Sequence, residues 1–402
     1  MTDSTPPTAL EGVKVIDVGL LVQGPQAAQM LYELGAEVIK VELPGVGDHA
    51  RWIPITMDDR RAPYFVACNR GKRGMTLDLR VDDGRAIFLD LAAQADVVIS
   101  NFGPGTMEAW GVGYDELSAI NPRLVYAAGS AYGTEGPAAE RKGADIGAQA
   151  AGGLAHAATA GGAAPSPVGV TIADHIASQN MVSGILAALL ARDRSGRGQR
   201  VETSLLGGQI YAQASEYTAV TLGDADLAVG THGGHPLIPG IYGVVPTADG
   251  AIAFVGVLPA ERNRLFALVG APELSEDERF ADGILSGANR NAVFDALRGP
   301  MQARTTAQWG EVFGNSDIRW APVRNRHQVI ADPASHDNGW LYRTTHPEWG
   351  EVSMVGNPVR LSDTPVRQGG HVPELGQHTE EILLELGRSW DDILALREAG
   401  SI

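Results

Sequence analysis

The 402-residue sequence predicts an α/β protein: a Rossmann-like large domain with a mostly parallel sheet, followed by a smaller α+β domain. Three observations carry this. β-like and helical patterns alternate through the first 130 residues, which calls for crossover connections and a parallel sheet. A stretch rich in Gly, His and Pro, Gly223 to Pro239, interrupts the chain after a long helical region. The length itself allows one large domain or two smaller ones.

The elements follow in order. Val13 to Val18 reads as a buried strand, and Pro25 to Leu34 as a helix with Pro in its first turn. Ala36 to Leu43 is the next strand, Gly84 to Gln94 a helix, Ala95 to Ser100 a strand and Leu124 to Ala128 another. Helical patterning then runs from Asp174 to Leu222. The expected large domain spans 1–222 and is completed by 333–402, with a small domain and its linkers at 223–332. In the latter, Ala251 to Val255 reads as a strand, and amphipathic helices extend to about Phe313. Thr379 to Leu386 forms one more helix. There is no internal repeat, and the only low-complexity tract is Ala157 to Pro167.

Composition narrows the function classes. The chain is 44% hydrophobic and 20% charged, and its 50 glycines imply many tight turns. A net charge of −17 argues against a nucleic-acid surface, which needs clustered Lys and Arg. A phosphorylated cofactor needs only a few local cations and is not excluded. The single Cys68 permits no internal disulfide or Cys-cluster metal site and fits a reducing compartment. Met1 to Thr8 is polar and Pro-rich, without the apolar stretch of a secretory leader. The longest apolar stretch, near Ile185 to Ala191, is far shorter than the roughly 20 residues of a membrane span. A soluble cytoplasmic protein is the expectation.

Several familiar motifs fail. Gly45-Val46-Gly47-Asp48-His49-Ala50 matches GxGxxA after a strand, yet Arg51-Trp52-Ile53-Pro54 does not continue as the helix a dinucleotide pyrophosphate requires. There is no phosphate-binding GxxxxGK[ST] loop and no GxSxG elbow. The ten histidines show no metal-type spacing, so no metal is expected; His232 and His235 read as polar loop residues. Asp174, before the apolar run Ile176 to Leu189, reads on spacing alone as an ordinary helix cap.

A longer constellation changes that reading. Gly12-Val13-Lys14-Val15-Ile16-Asp17 and Gly24-Pro25 precede Leu34-Gly35-Ala36-Glu37-Val38-Ile39-Lys40-Val41-Glu42 and Gly47-Asp48. Asn69-Arg70-Gly71-Lys72-Arg73, Leu77-Asp78-Leu79, Asn101-Phe102-Gly103-Pro104-Gly105 and Asn121-Pro122-Arg123 follow. Gly133 to Pro137, Gln149 to Gly153, the Asp174 block, Gly196-Arg197-Gly198-Gln199, Pro239 to Gly243, Asp249-Gly250, Ala321-Pro322-Val323 and Leu375 to Thr379 complete it. In this order the segments resemble the family III CoA-transferases, over most of residues 10–390.

The resemblance implies that Asp174 is the nucleophile that accepts the acyl group, with the helix N-terminus favouring its ionised form. It implies transfer of CoA from an acyl-CoA donor to a carboxylic acid through a mixed anhydride and an aspartyl-CoA thioester. Coenzyme A is then a substrate, and no cofactor is permanently bound. Lys72, Arg73 and Lys142 stand at or near positions that hold CoA, and Asn101-Phe102-Gly103 resembles the segment lining adenine and pantetheine. Gln23 is placed to meet the substrate carboxylate, unless a one-residue offset puts Val22 there. His232-Gly233-Gly234-His235 is either a flexible lid or a plain interdomain linker. Leu43 and Ala109 depart from the arginines of formyl-CoA transferases, so the phosphate contacts must be rearranged.

Gly143-Ala144-Asp145 decides between branches. The related α-methylacyl-CoA racemases carry Gly-His-Asp, and Ala144 removes one base of their proton relay. Ala144 also replaces the Tyr of formyl-CoA transferases, which argues against an oxalate and formate pair and leaves room for a bulkier acyl group. A racemase, or a non-catalytic binder of CoA esters, remains the alternative. The resemblance further implies a homodimer of interlocked chains, with acyl-CoA and a carboxylic acid as the small-molecule partners and neither nucleic acid nor membrane.

Overall fold

The computed structural model describes residues 7–159, 163–223, 234–235, 237–238, 240–281 and 287–402. The chain divides into two compact units, one of residues 1–151, 170–212 and 332–402, the other of 152–169 and 213–331.

The first unit is built on six parallel strands: β1 (Lys14–Asp17), β2 (Glu37–Glu42), β3 (Arg73–Thr76), β4 (Val97–Ser100), β5 (Val125–Ser130) and β6 (Arg200–Ser204), in the order β3-β2-β1-β4-β5-β6. Successive side chains of a strand point to opposite faces, so neighbouring Val15 and Ile16 enter different cores. Ile16 joins Met75, Phe88, Leu91 and Ile382 on one face. Val15 joins Val38, Val97, Leu31, Met181 and Ile185 on the other, under the Gln23–Glu33 and Ile172–Ser195 helices. Burial on both faces explains why β1 and β4 read as near-continuous apolar runs.

Strand order reverses where β1 lies between β2 and β4. In open parallel sheets this reversal opens a crevice at the carboxyl ends of the strands. The segments 18–23 and 101–103 leave the sheet there.

Two sheet strands were not expected. The Asp174-to-Leu222 region is not continuously helical: the first helix ends at Ser195 with Gly196 in the left-handed conformation, and β6 follows before the Leu205–Ala212 helix. β3 is the second. In the other unit, β7 (Ile241–Pro246), β8 (Ala251–Val257) and β9 (Trp320–Pro322) form an antiparallel sheet. Its core holds Phe254, Phe266, Trp309 and Phe313, with Trp309 stacked on Phe313 at 5.4 Å. The hairpin β10 (Leu341–His346) and β11 (Gly350–Val355) belongs to the first unit. Among the described residues no helix is long and apolar enough to cross a membrane.

Candidate active site

The floor of the crevice is a buried charge network. Asp17, at the end of β1, accepts from Lys72 Nζ at 2.7 Å and lies 3.7 Å from Lys40 Nζ. Lys40 donates to Asp48 Oδ2 at 2.9 Å and to the Gly19 carbonyl. Asp48 Oδ1 accepts from Leu21 N at 2.9 Å and Ala50 N at 2.8 Å. Burial raises the Asp48 pKa, but Lys40 and these two amides more than offset it and hold the carboxyl below its ordinary range.

This network fixes the loop after β1. Leu21 has φ +62°, an unusual conformation for a non-glycine residue. Its neighbour Leu20 is clamped by Asn101, which accepts from Leu20 N at 2.7 Å and donates to the Leu20 carbonyl at 2.9 Å. Asn101 therefore ties together the loops following β1 and β4, at the reversal itself.

Next to this clamp lies a cleft of about 170 Å³. Phe102 and Trp110, edge to face at 5.0 Å, form one wall, and aliphatic Leu43 and Leu77 also line it. His49 and Arg80 bring polar groups to its lining, Arg80 held by Asp78 through bonds of 2.7 and 2.8 Å while remaining more than half exposed. Flat apolar walls beside an exposed guanidinium suit a purine attached to phosphates. The sequence reading named Phe102 but missed Arg80 and Trp110. Arg80 directly follows the Leu77-Asp78-Leu79 segment, and that proximity was the available signal.

Asp174 sits elsewhere in the same unit, on the third residue of the 24-residue Ile172–Ser195 helix. It is not the cap: the capping position is Thr171, whose side chain makes no capping bond. The first-turn amides go instead to Asp145, whose Oδ1 accepts from Ala173 N at 2.7 Å and from Asp174 N at 3.2 Å. Among the described residues none donates to the Asp174 carboxylate. Burial, followed by the charge of Asp145, pushes its pKa from 3.8 to about 7. The expectation that the helix terminus would favour the Asp174 anion is thus corrected: burial and a like charge prevail. His175 beside it is held below the ordinary histidine range by burial, with Asp145 acting in the opposite direction.

Gln23 begins the helix packed against this one. Ser178 Oγ lies 2.8 Å from the Gln23 carbonyl and 2.7 Å from the Asp174 carbonyl, within donating reach of either. Gln23 is 3% exposed, and its amide nitrogen has no hydrogen-bond partner among the described residues. It fits because Gly129 faces it; a Cβ there would stand 2.6 Å from Gln23 Oε1.

The other expected site residues are placed as follows. Lys72 is a wholly buried cation that also bonds Asn69 Oδ1 at 2.8 Å and the Pro25 carbonyl at 2.9 Å. Arg73 lies at the amino end of β3, away from the cleft, paired with Glu381 and Glu385 at 2.8 Å. Neither presents a free charge to the crevice. Lys142, Gly103 and Ala144 are exposed. Gly234, with φ +92°, packs against the Tyr242 carbonyl, and His235 Nε2 lies 2.5 Å from Glu216 Oε1, both within the second unit. His232 and Gly233 lie outside the described residues. No group of three or more His, Cys, Asp or Glu among the described residues is arranged to hold a metal ion.

Comparison with known proteins gives this geometry its context. The family profile of CoA-transferase family III matches residues 10–379. The chain is 31% identical to the succinyl-CoA:glutarate CoA-transferase of Homo sapiens, over 95% of this chain and 87% of that protein. It is 32% identical to the formyl-CoA:oxalate CoA-transferase of Streptomyces coelicolor, over 98% and 99% of the two chains. The crystal structure of a CaiB/BaiF family protein from Brucella suis superposes with a TM-score of 0.84 at 32% identity, over 94% of this chain and all of the other. The chain is an enzyme of CoA-transferase family III.

Proposed function

We propose that this enzyme moves CoA from an acyl-CoA donor to a carboxylic acid longer than oxalate, with Asp174 as the nucleophile. The observation that carries the assignment is a half-buried aspartate, free of hydrogen-bond donors among the described residues, beside a second carboxylate and raised to about 7. Nucleophilic carboxylates are more reactive when less stabilised as anions. Glutarate and oxalate, the acceptors in the two relatives' names, are both dicarboxylates. Small, exposed Ala144 supports the longer of these.

In this reading an Asp174 oxygen bonds the thioester carbon, the C–S bond breaks and CoA leaves as thiolate. The sulfur then bonds the Asp174 carbonyl carbon, the anhydride C–O bond breaks and the donor acid leaves as carboxylate. The acceptor carboxylate reverses both exchanges. The Gln23 amide, buried and without a partner among the described residues, supplies an N–H donor for a substrate carboxylate or oxyanion. The Phe102, Trp110 and Arg80 cleft takes the nucleotide end of CoA, with Arg80 in place of the missing arginines. A second copy of the chain is supported by exposed apolar side chains such as Trp52, Met57 and Tyr211.

The test is intact-protein and peptide mass spectrometry after incubation with a panel of acyl-CoAs, with Asp174→Ala alongside. A CoA or acyl adduct on the Asp174 peptide, absent from the variant, is the expected result. No adduct with any donor, together with α-proton exchange into deuterated water, would overturn the transferase mechanism in favour of a racemase.

A further inference from the structure

A carboxylate in the first turn of a helix ordinarily benefits from the free amides around it. Here those amides bind a residue 29 positions earlier. Asp145 Oδ1 takes the Ala173 and Asp174 N–H groups, and its Oδ2 accepts from Gln149 Nε2 at 2.5 Å. The same Gln149 amide donates to the Val170 carbonyl at 3.0 Å, just before the helix. Asp145 is 9% exposed and Gln149 1%. Three N–H donors therefore converge on the residue that is not the nucleophile, and a Gln locks it to the segment entering the helix.

We propose that Asp145 is a positioning residue for acyl transfer: it takes the helix amides that would stabilise the Asp174 anion, fixes the Asp174 backbone, and by its charge favours the acylated, neutral Asp174 over the free carboxylate. This rests on Asp174 being the nucleophile. In the first half-reaction one negative charge passes from Asp174 to the departing acid, so the repulsion from Asp145 is relieved as the aspartyl-CoA thioester forms.

The other neighbours do not supply this effect. The facing helix contributes Gln23, which is uncharged, and the Leu205–Ala212 helix contributes Gly208, against Ile176 and Ala177. His175 on the same helix is held low and is neutral at pH 8. Among the described residues, Asp145 is the charge that acts on Asp174.

The experiment uses the full-length protein, with succinyl-CoA as donor and succinate in controlled excess. Asp145→Asn keeps a carbonyl acceptor for the two amides and removes the charge; Asp145→Thr keeps a hydroxyl acceptor at similar volume. Variants folded by circular dichroism are compared with wild type for the fraction of Asp174 carrying CoA and for the pH dependence of adduct formation. Removal of the charge should lower the adduct-to-free ratio about tenfold at pH 8 and move the acid limb down by about one pH unit. A residue with only a structural role would lower thermal stability without moving the limb. Wild-type adduct with an unchanged ratio and limb in the folded variants would sink the role of Asp145. Absence of adduct from wild type itself would sink the nucleophile assignment instead.

Discussion

The raised Asp174 pKa has a thermodynamic counterpart that requires no substrate. Its value moves from 3.8 to about 7 on folding, so the folded chain holds a proton that the unfolded chain has released. Three pKa units correspond to about 4 kcal/mol. The sign follows from linkage: between pH 4 and 7 the native state binds more protons than the unfolded state, so stability falls as pH rises and the full penalty stands above pH 7. Asp174→Asn cannot ionise and has nearly the same shape. It should be more stable than wild type at pH 8 by up to about 4 kcal/mol, by about half that at pH 5.5, and by almost nothing at pH 3.5. Urea titrations of both proteins, followed by circular dichroism at each pH, measure the difference from the midpoint and slope. A variant less stable than wild type at pH 8, or a difference independent of pH, would refute the account of a destabilised carboxylate.

Two further outcomes separate the floor of the crevice from its cleft. Lys40→Met leaves Asp48 without its cation in the interior, while Asp17 keeps Lys72, and should cost about 3–5 kcal/mol in urea unfolding, as for other broken buried pairs; a loss below 1 kcal/mol would mean that the network is hydrated. Trp110→Ala should raise KM for acyl-CoA about tenfold with little change in kcat, given 1–3 kcal/mol for an aromatic wall against a base; steady-state kinetics with an unchanged KM would remove the nucleotide from this cleft.

Much of the sheet was legible because burial left a local trace. β1, β4 and β5 are apolar enough on both faces to stand out as strands, and β2 stands out through Val38, Ile39 and Val41. β6, Arg200-Val201-Glu202-Thr203-Ser204, lies at the sheet edge with β5 as its one neighbour and carries an edge strand's polar pattern. β3 has four residues, one of them Gly74, which packs tightly against Pro373 and Glu374 from the far end of the sequence. Its identity as a strand depends on those distant partners. The same distinction runs through the site. Asp174 was reached by resemblance, whereas the exchange of its helix amides to Asp145 depends on a tertiary contact with no local signature. Lys72 and Arg73 are cations in a suggestive motif, but composition cannot tell a solvated cation from one already paired, and here the pairing decides.

The distribution of charge within the first unit explains why so many ionisable groups are buried there. Around β1 each buried acid has a base: Asp17 with Lys72 and Lys40, Asp48 with Lys40, Glu42 with Arg51 at 2.8 Å. That pairing lets charged side chains act as rigid supports for a strained loop. Around Asp174 the arrangement is reversed, for the nearest charge is another acid and no described cation contributes to its ionisation. A lysine moved from the first setting to the second would stabilise the Asp174 carboxylate and so, in the proposed mechanism, favour the free enzyme over its covalent intermediates. The two treatments of aspartate are complementary: paired acids hold the crevice in shape, and in the proposed mechanism an unpaired one is left with most to gain from becoming an anhydride or thioester.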